Sequence, residues 1–326
     1  MFESIKFQNF KALRDTTLPL SRFTLIVGPN GSGKTTALTA FLALNDPRLL
    51  IDGCSVGVPV SMPVRLVANW ISEDLGQNNC SVTAEWISNK GWQVPTYAGN
   101  AQQVVRVRAR FYSLDAGKIA TPVHLQPNME LTDSGANLAG VLDRLRDQHP
   151  ERFDALNEQL GRWIPEFDRI LFETLQAGQR SIALRTREGG HSIKANNLSQ
   201  GTLIALALLT IAYLPEPPSI VCLEEPDHGL HPRLLRDVRD ALYRLAYPEG
   251  SQEKREPVQV IATTHNPYFL DLFREHPEEI VIAEKVGLES KFSRLSDRKD
   301  LEEILGDVPL SEVWYSGVLG GVPVGT

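Results

Sequence analysis

The sequence has few cysteines, no long apolar run and no positive net charge. Its cysteines are three in 326 residues, at positions 54, 80 and 222, with no paired spacing, which excludes a disulfide framework and indicates a reducing compartment. The longest apolar run, Thr202 to Leu214, is shorter than the roughly 20 residues that span a bilayer. The first residues show no targeting pattern. We therefore expect a cytoplasmic protein without a membrane partner.

The net charge and the absence of repeats argue against further classes of function. A formal charge of −7 argues against non-specific nucleic-acid binding through bulk charge, although a local basic groove stays open. The sequence has no internal repeats and no sustained heptad pattern, so coiled-coil arms are not expected. With 42% hydrophobic residues in 326, the chain can bury the core of one large domain with two lobes.

A glycine-rich loop follows the apolar run Phe23 to Val27 and precedes a stretch of helical composition from Lys34 to Leu44. This strand, loop and helix are the context that a phosphate-binding loop requires. The glycines let consecutive N–H groups converge on phosphate oxygens, while the lysine reaches the β- and γ-phosphates and the threonine hydroxyl binds Mg²⁺. The sequence thus predicts an ATP and Mg²⁺ site at Gly28, Pro29, Asn30, Gly31, Ser32, Gly33, Lys34, Thr35 and Thr36.

Two acidic residues follow a second apolar run. Ser219 to Leu223 has the composition of a buried parallel strand, and Glu224 and Glu225 come directly after it, before Pro226. Ligands bind at this end of strands in open α/β sheets. Because adjacent strand residues point to opposite sides, we expect Glu224 to face the metal and Glu225 to face the attacking water.

Two further segments complete the pattern. Leu198-Ser199-Gln200-Gly201 opens the apolar run to Leu214, in which Ser199 suits a helix N-cap and Gly201 permits close approach. By itself this segment is more typical of a capped core helix. The strand-like run Gln259 to Thr264 is followed by His265, whose imidazole could sense a γ-phosphate. We call Leu198 to Gly201 the signature segment. Considered together with the loop and the acids, it is better interpreted as a second anion-binding site.

The order of these motifs resembles the ATP-binding-cassette ATPases, in particular the soluble branch with SMC, RecF and OLD-type proteins. The segments Leu223 to Pro232 and Thr263 to Asp271 look most like the AAA-type ATPases of abortive-infection and anti-phage systems, sometimes labelled AbiEii-like. The resemblance covers nearly the whole chain. It implies a P-loop ABC-ATPase head of α/β class, with a mixed central sheet, an antiparallel β subdomain and a helical lid lobe.

The resemblance also implies residue roles. Gly28 to Thr35 would be the Walker A loop, with Lys34 catalytic, Glu224 the metal-side acid of Walker B and Glu225 the hydrolytic base. His265 would be the switch histidine, and Ser199 and Gly201 would contact ATP bound to the opposite subunit of an ATP-dependent, head-to-tail homodimer. Gln126 is the candidate glutamine-loop metal ligand, and Lys11 the candidate basic residue near the phosphates.

Three departures from the family pattern bear on the mechanism. Glu224 replaces the usual aspartate, Thr202 replaces the final glutamine of the signature, and the segment after the acids reads His228-Gly-Leu-His231 instead of the transporter pattern. This last difference argues against transporter-type signalling between subunits.

One strand-like segment, Val104 to Phe111, alternates with period 2, so Arg106, Arg108 and Arg110 share one face and Val105, Val107 and Ala109 the other. A solvated antiparallel sheet accounts for this better than phosphate or partner contact. We divide the single domain into a nucleotide-binding lobe (1–60 and 215–326), an antiparallel β subdomain (about 61–130) and a helical, signature-bearing lobe (about 131–214).

Three functions fit these predictions. The first is an ATP-gated dimer that controls a separately encoded effector of an anti-phage or abortive-infection system. The second is a RecF/SMC-like DNA-repair ATPase that clamps duplex DNA, so DNA is a second candidate partner. A transporter ATPase fits least, because the transporter pattern after the acids is missing.

Overall fold

The computed structural model describes residues 1–44, 46, 55, 62–72, 78–87, 91–98, 108–251, 253–306 and 308–322. The chain divides into two compact units that are each discontinuous in sequence. The first consists of Met1–Phe111, Pro218–Glu225 and Ala246–Thr326, and the second of Tyr112–Pro217 and Pro226–Leu245. Each unit is described by itself below.

Runs of consecutive strands are separated by helices along the chain. From the N-terminus they are β1 Ser4–Phe10, β2 Leu13–Pro19, β3 Phe23–Val27, α1 Lys34–Ala43, β4 Val64–Ser72, β5 Asn78–Ile87, β6 Gly91–Ala98 and β7 Ala109–Tyr112. Then follow α2 Ala116–Ile119, β8 Val123–His124, α3 Leu138–Gln148, α4 Pro150–Trp163, β9 Phe167–Glu173, β10 Gln179–Thr186, β11 Ser192–Lys194 and α5 Gln200–Tyr213. The last are β12 Ile220–Leu223, α6 Leu235–Ala246, β13 Gln259–Thr264, α7 Pro267–Asp271, β14 Ile280–Val286, β15 Glu289–Arg294, α8 Leu301–Leu305 and α9 Leu310–Tyr315.

A six-stranded mixed sheet, in the order β15-β14-β3-β13-β12-β7, organises the first unit. β3 is parallel to both β13 and β14, and β13 is parallel to β12. All residues of β3, β12 and β13 are buried, as expected for parallel strands covered on both faces. The sheet therefore brings the carboxyl ends of β3, β13 and β12 to one edge.

The second sheet of the first unit is antiparallel, in the order β2-β1-β4-β5-β6. Alternate residues of β1, including Ile5 and Phe7, are buried, which is the pattern of a strand with one covered face. One core cluster contains Phe7 from this sheet, Phe41 from α1 and Ile26 from the six-stranded sheet. Apolar burial between the two sheets and α1 thus holds the first unit together.

The second unit combines helices with a small antiparallel sheet. β10 pairs with β8, β9 and β11, while α3 contacts both α4 and β10. Every residue of α5 from Thr202 to Tyr213 is buried, so this helix is apolar all round instead of amphipathic. The sequence prediction of a buried helix after the Leu-Ser-Gln-Gly segment is confirmed.

Most predicted elements are present, but one strand was assigned to the wrong sheet and one was missed. Of the arginine-bearing segment, Arg106 lies outside the described residues, and β7 belongs to the six-stranded sheet beside β12 instead of the antiparallel one. β6 was not predicted at all. The stretch from Thr132 to Arg162 is two helices, because Pro150 begins a new helix at its first turn.

The cysteines that the structure describes are not surface thiols. Cys80 and Cys222 are buried, and burial raises the pKa of the Cys222 thiol. Cys54 lies outside the described residues. Within the part of the chain that the structure describes, no helix is long and apolar enough to cross a membrane.

Candidate functional site

The glycine-rich loop is fixed at both ends by the first unit. It begins where β3 ends, and at Gly28 an added Cβ would lie 2.2 Å from the Ala283 carbonyl oxygen of β14. At the other end, Gly33 has φ 88° and caps α1, while Gly31 has φ 74°. These left-handed angles are readily adopted only by glycine. Strand β14 and the start of α1 therefore hold the loop in its turned conformation.

Lys34 is buried at the start of α1, and its ammonium group is held by the loop itself. Its Nζ donates hydrogen bonds to the carbonyl oxygens of Gly28, at 2.8 Å, and Pro29, at 2.9 Å. Burial lowers the pKa of Lys34 to about 8, against the opposing effect of the Glu225 and Glu224 carboxylates. At neutral pH the lysine is therefore still mostly charged, and bound phosphate would further stabilise that charge.

Thr35 and Glu224 meet beside this lysine. The hydroxyl of Thr35, in the first turn of α1, donates a hydrogen bond to the Glu224 carboxylate, which follows β12. Two hard oxygen donors thus lie in contact at the mouth of the loop. That is the donor type which Mg²⁺ prefers in proteins, usually with phosphate and water oxygens as its other ligands. The longer arm of glutamate, compared with the usual aspartate, still reaches the threonine.

Glu225 leaves the strand by a left-handed turn. β12 ends at Leu223, before both acids, and Glu225 has φ 43°, a conformation uncommon for a residue with a side chain. Its backbone N–H donates to the Thr263 hydroxyl of β13, at 3.2 Å. We predicted that alternation along the strand would turn the two acids to opposite sides. That reason is wrong, because neither acid belongs to the strand. A strained turn next to the neighbouring strand orients Glu225 instead.

His265 lies directly after β13 and faces Glu225. Its Nε2 is 3.3 Å from the Glu225 carboxylate, and both side chains are about one-third exposed, at 32% and 38%. Burial lowers the pKa of His265, the positive charge of Lys34 lowers it further, and Glu225 opposes both effects. The imidazole is therefore neutral at neutral pH and can donate its Nε2–H to the carboxylate.

The signature segment lies in the second unit, at the start of α5. The Ser199 hydroxyl caps the helix by accepting from the Thr202 N–H at 3.1 Å, while Ser199 itself remains exposed. An added Cβ at Gly201 would lie 2.7 Å from the carbonyl oxygen of Gly229, so glycine is required there for packing within this unit. An open cavity of about 800 Å³ borders the segment and is lined in part by Gln200 and His228.

Two sequence candidates remain, Gln126 and Lys11. Gln126 is exposed in the second unit, after the short strand β8, which pairs with β10 and does not belong to the six-stranded sheet. Lys11 is exposed in the β1–β2 turn with φ 53°, and its ammonium lies 5.5 Å from the centre of the Phe10 ring. The roles of Gln126 and Lys11 stay predictions.

Sequence reasoning missed the residues that support the site. Thr263 and Ala283 contribute a hydroxyl and a backbone carbonyl to Glu225 and to the loop, respectively. Both lie in apolar runs that read as ordinary strands. Their function depends on which strands are neighbours in the sheet, and nothing in the local sequence indicates that.

Known proteins share this sequence pattern. Residues 108–271 match a family model described as an AAA domain, putative AbiEii toxin, type IV TA system. The chain belongs to this AAA family. Residues 1–74 of the AAA protein also match a model described as an AAA ATPase domain. Together with the site geometry, these matches identify the AAA protein as an ATPase of the AAA/ABC type.

One curated relative and two solved structures are also similar to the AAA protein. It is 25% identical over 332 aligned positions to an OLD nuclease of Thermus scotoductus (strain ATCC 700910 / SA-01), covering 84% of this chain but 60% of that relative. A crystal structure of an Smc head bound to the C-winged helix domain of ScpA has a TM-score of 0.59 at 17% identity, over 90% of this chain and 96% of that one. The Smc head domain with a coiled coil and joint derived from Pyrococcus yayanosii has a TM-score of 0.58 at 12% identity, over 97% and 99%. These structures confirm the predicted ABC-type head fold.

The lowered pKa of Lys34 predicts proton uptake when nucleotide binds. In the free AAA protein this lysine titrates at about 8, and bound phosphates raise its pKa, so the bound state holds more protons at pH 8. We expect uptake of about half a proton per nucleotide at pH 8, falling toward zero as the pH is lowered to 6.5. Calorimetry in two buffers with different ionisation enthalpies measures this uptake.

The matched control is Lys34→Arg, whose guanidinium is charged throughout this pH range. We expect it to abolish the uptake at pH 8 while keeping a positive charge in the loop. Equal uptake by the Lys34→Arg variant and the unmodified protein would contradict the assignment to Lys34.

Proposed function

We propose that this AAA protein is an ATP-gated switch, in which ATP joins two copies head to tail and hydrolysis separates them. The observation that supports the ATP site best is the meeting of Lys34, Thr35, Glu224, Glu225 and His265 at one edge of the six-stranded sheet. These groups come from segments 28–35, 224–225 and 265, which are distant in sequence. Their convergence is the arrangement that phosphoryl transfer to water needs.

We assign the phosphates to the loop and the metal to the oxygen pair. Lys34 and the backbone N–H groups of residues 28–36, from Gly28 to Thr36 but without Pro29, which has no N–H, bind the triphosphate, and the carbonyls that hold the ammonium give way to phosphate oxygens. Thr35 and Glu224 fit a Mg²⁺ ion because their oxygens already lie in contact. When bound, the ion neutralises negative charge on the β- and γ-phosphates.

We assign water activation to Glu225 and its orientation to its neighbours. The Thr263 hydroxyl fixes the backbone of this residue, and His265 contacts its carboxylate. A carboxylate held in this way can accept a proton from water, while the single N–H of the neutral imidazole can turn from Glu225 to the γ-phosphate when ATP is bound. Loss of that phosphate returns the hydrogen bond to Glu225.

We assign a contact across the dimer to the signature. Ser199 is exposed although it caps α5, and its neighbours Leu198 and Gln200 line an open cavity of about 800 Å³. A helix N-terminus with an exposed serine hydroxyl, whose O–H can donate to a phosphate oxygen, and a close-packed glycine, Gly201, is suited to receive the γ-phosphate of ATP held by a second copy. Each ATP would then be bound by two chains, which makes dimerisation depend on ATP.

The output of the switch is proposed from the family. The matched family is described as a putative AbiEii toxin domain of a type IV TA system, which supports a role in abortive infection or another anti-phage defence. We propose that the ATP-dependent pair controls a separately encoded effector. The relative named as an OLD nuclease is longer than the part that this chain matches, so its activity is not transferred here.

Glu225→Gln is expected to trap the ATP-bound pair. The amide keeps the size of the side chain but accepts a proton poorly, so hydrolysis falls by at least about 100-fold while ATP binding is retained. Multi-angle light scattering should show a doubled mass with ATP and Mg²⁺. The exposed Glu275→Gln serves as the control. No ATP-dependent mass change in the Glu225→Gln variant would rule out a reversible pair joined by ATP.

A mixing experiment tests the composite site directly. Ser199→Arg should block hydrolysis but not ATP binding, and Lys34→Ala should block binding. Each variant alone is inactive, but a pair with one chain of each variant has one intact composite site. An equimolar mixture should therefore recover about a quarter of the normal rate. Ser192→Arg, at an exposed serine of β11, is the control for adding an arginine near the signature. No recovery would mean that Ser199 acts only within its own chain.

A DNA clamp is the second candidate function, favoured by the relative named as a nuclease. In that case ATP should increase the affinity of the Glu225→Gln variant for duplex DNA, and the affinity should fall steeply as the salt concentration rises. Fluorescence anisotropy with a labelled duplex measures both effects. Binding that is unaffected by ATP would reject the clamp.

A further inference from the structure

The hairpin β14–β15 lies along the whole phosphate loop. At Gly28 an added Cβ would meet the Ala283 carbonyl oxygen at 2.2 Å, and at Gly33 it would meet the Ser290 hydroxyl at 2.8 Å. Gly31 lies between these two glycines, at what we call the crown of the loop. The nearest atom to a Cβ added there is the Lys285 Nζ, at 4.0 Å. Each of these three loop glycines thus faces one residue of the same hairpin. The hairpin is a wall of the nucleotide site, although its sequence carries no nucleotide-binding motif.

Strand pairing determines which hairpin residues face the loop. Lys285 pairs directly with Ser290, and Glu284 pairs with Lys291. Directly opposed residues of an antiparallel pair point to the same face, and neighbours along a strand point to opposite faces. Because Ser290 is buried against Gly33, Lys285 shares the loop face. Lys291 points away from it.

The charge of Lys285 is not neutralised by the protein. Its side chain is exposed, and it forms no ion pair with any carboxylate that the structure describes. Lys34 is in the opposite situation, because it is buried and acted on by Glu224 and Glu225. The loop therefore has one cation offset by acids at its base and a second, unpaired cation at its crown.

The buried hydroxyl of Ser290 is a second polar group that this hairpin places beside the loop. Ser290 is 1% exposed, and its Oγ has no hydrogen-bond partner among the residues that the structure describes. The hydroxyl of Ser32, inside the loop, is also buried without a partner. Buried hydroxyls are normally paired, so two unpaired ones at the loop indicate that its hydrogen bonds change when a ligand binds.

We propose that Lys285 is a further nucleotide-binding residue, which contacts the polyphosphate of the bound nucleoside triphosphate at the crown of the loop. This rests on the proposed ATP site. A triphosphate carries more negative charge than Lys34 and a divalent ion can balance beside two carboxylates, so an unpaired ammonium at the crown adds attraction. A lysine suits this place because its long stem lets the charge follow the phosphates.

The test is equilibrium binding of ATP to the full chain, followed by steady-state hydrolysis. We expect Lys285→Ala to raise the Kd about fivefold, and Lys285→Glu to raise it more, because the sign of the charge is reversed. Both effects should shrink as salt is added, since the contact is exposed. The kcat should change less than twofold. Lys285→Arg should restore the affinity, which a purely structural role would not predict.

Two controls separate this proposal from the ATP site on which it rests. Lys291→Ala removes a lysine from the other face of the same hairpin and should leave the Kd unchanged. Lys34→Ala should abolish binding, which establishes that the loop holds the nucleotide. If Lys34→Ala abolishes binding but Lys285→Ala and Lys285→Glu leave the Kd within twofold, the proposal for Lys285 fails and the ATP site stands. If Lys34→Ala leaves binding intact, the ATP site itself fails.

Discussion

The parallel pairing of β3, β13 and β12 is the constraint on which the rest of the site depends. In this register Val27 lies beside Thr264, and Leu223 lies beside Ala262. The phosphate loop, the histidine and the acid pair each follow one of these strands, so three segments that are distant in sequence emerge at one edge. A shift of one residue in either pairing would move every following side chain to the other face. Because all three strands are fully buried, such a shift would also disrupt the packing on both faces of the sheet.

The charged groups at this edge are balanced largely by one another. Two carboxylates and one lysine meet there, with a histidine whose pKa is lowered by burial and by that lysine. The Lys34 ammonium is satisfied by the carbonyls of Gly28 and Pro29, and Thr35 satisfies Glu224. In the proposed site these contacts would be replaced by contacts with phosphate and metal, so binding would exchange hydrogen bonds.

Sequence could predict the parts of this site but not the way they are joined. The loop, Glu224, Glu225 and His265 each follow an apolar run that ends in a recognisable turn, so their position at strand ends follows from local pattern. The left-handed turn at Glu225 and the close approach of Ala283 to Gly28 cannot be predicted from local pattern, because both depend on contacts with a neighbouring strand. For the same reason β7 was predicted as a strand but placed in the wrong sheet.

The position of Glu225 in the chain brings the acid pair close in sequence to a residue that packs on the signature segment. This strained residue is the last of its segment in the first unit, and Pro226 begins a segment of the second. Four residues after Glu225, the carbonyl of Gly229 packs against Gly201, and Gln200 lies 3.1 Å from the Cβ position of Gly229. The turn at Glu225 is therefore separated by only four residues of chain from a packing contact with the start of α5. Because Gly201 and Gly229 are closely packed, a displacement of Gly229 toward Gly201 requires the signature segment to move as well.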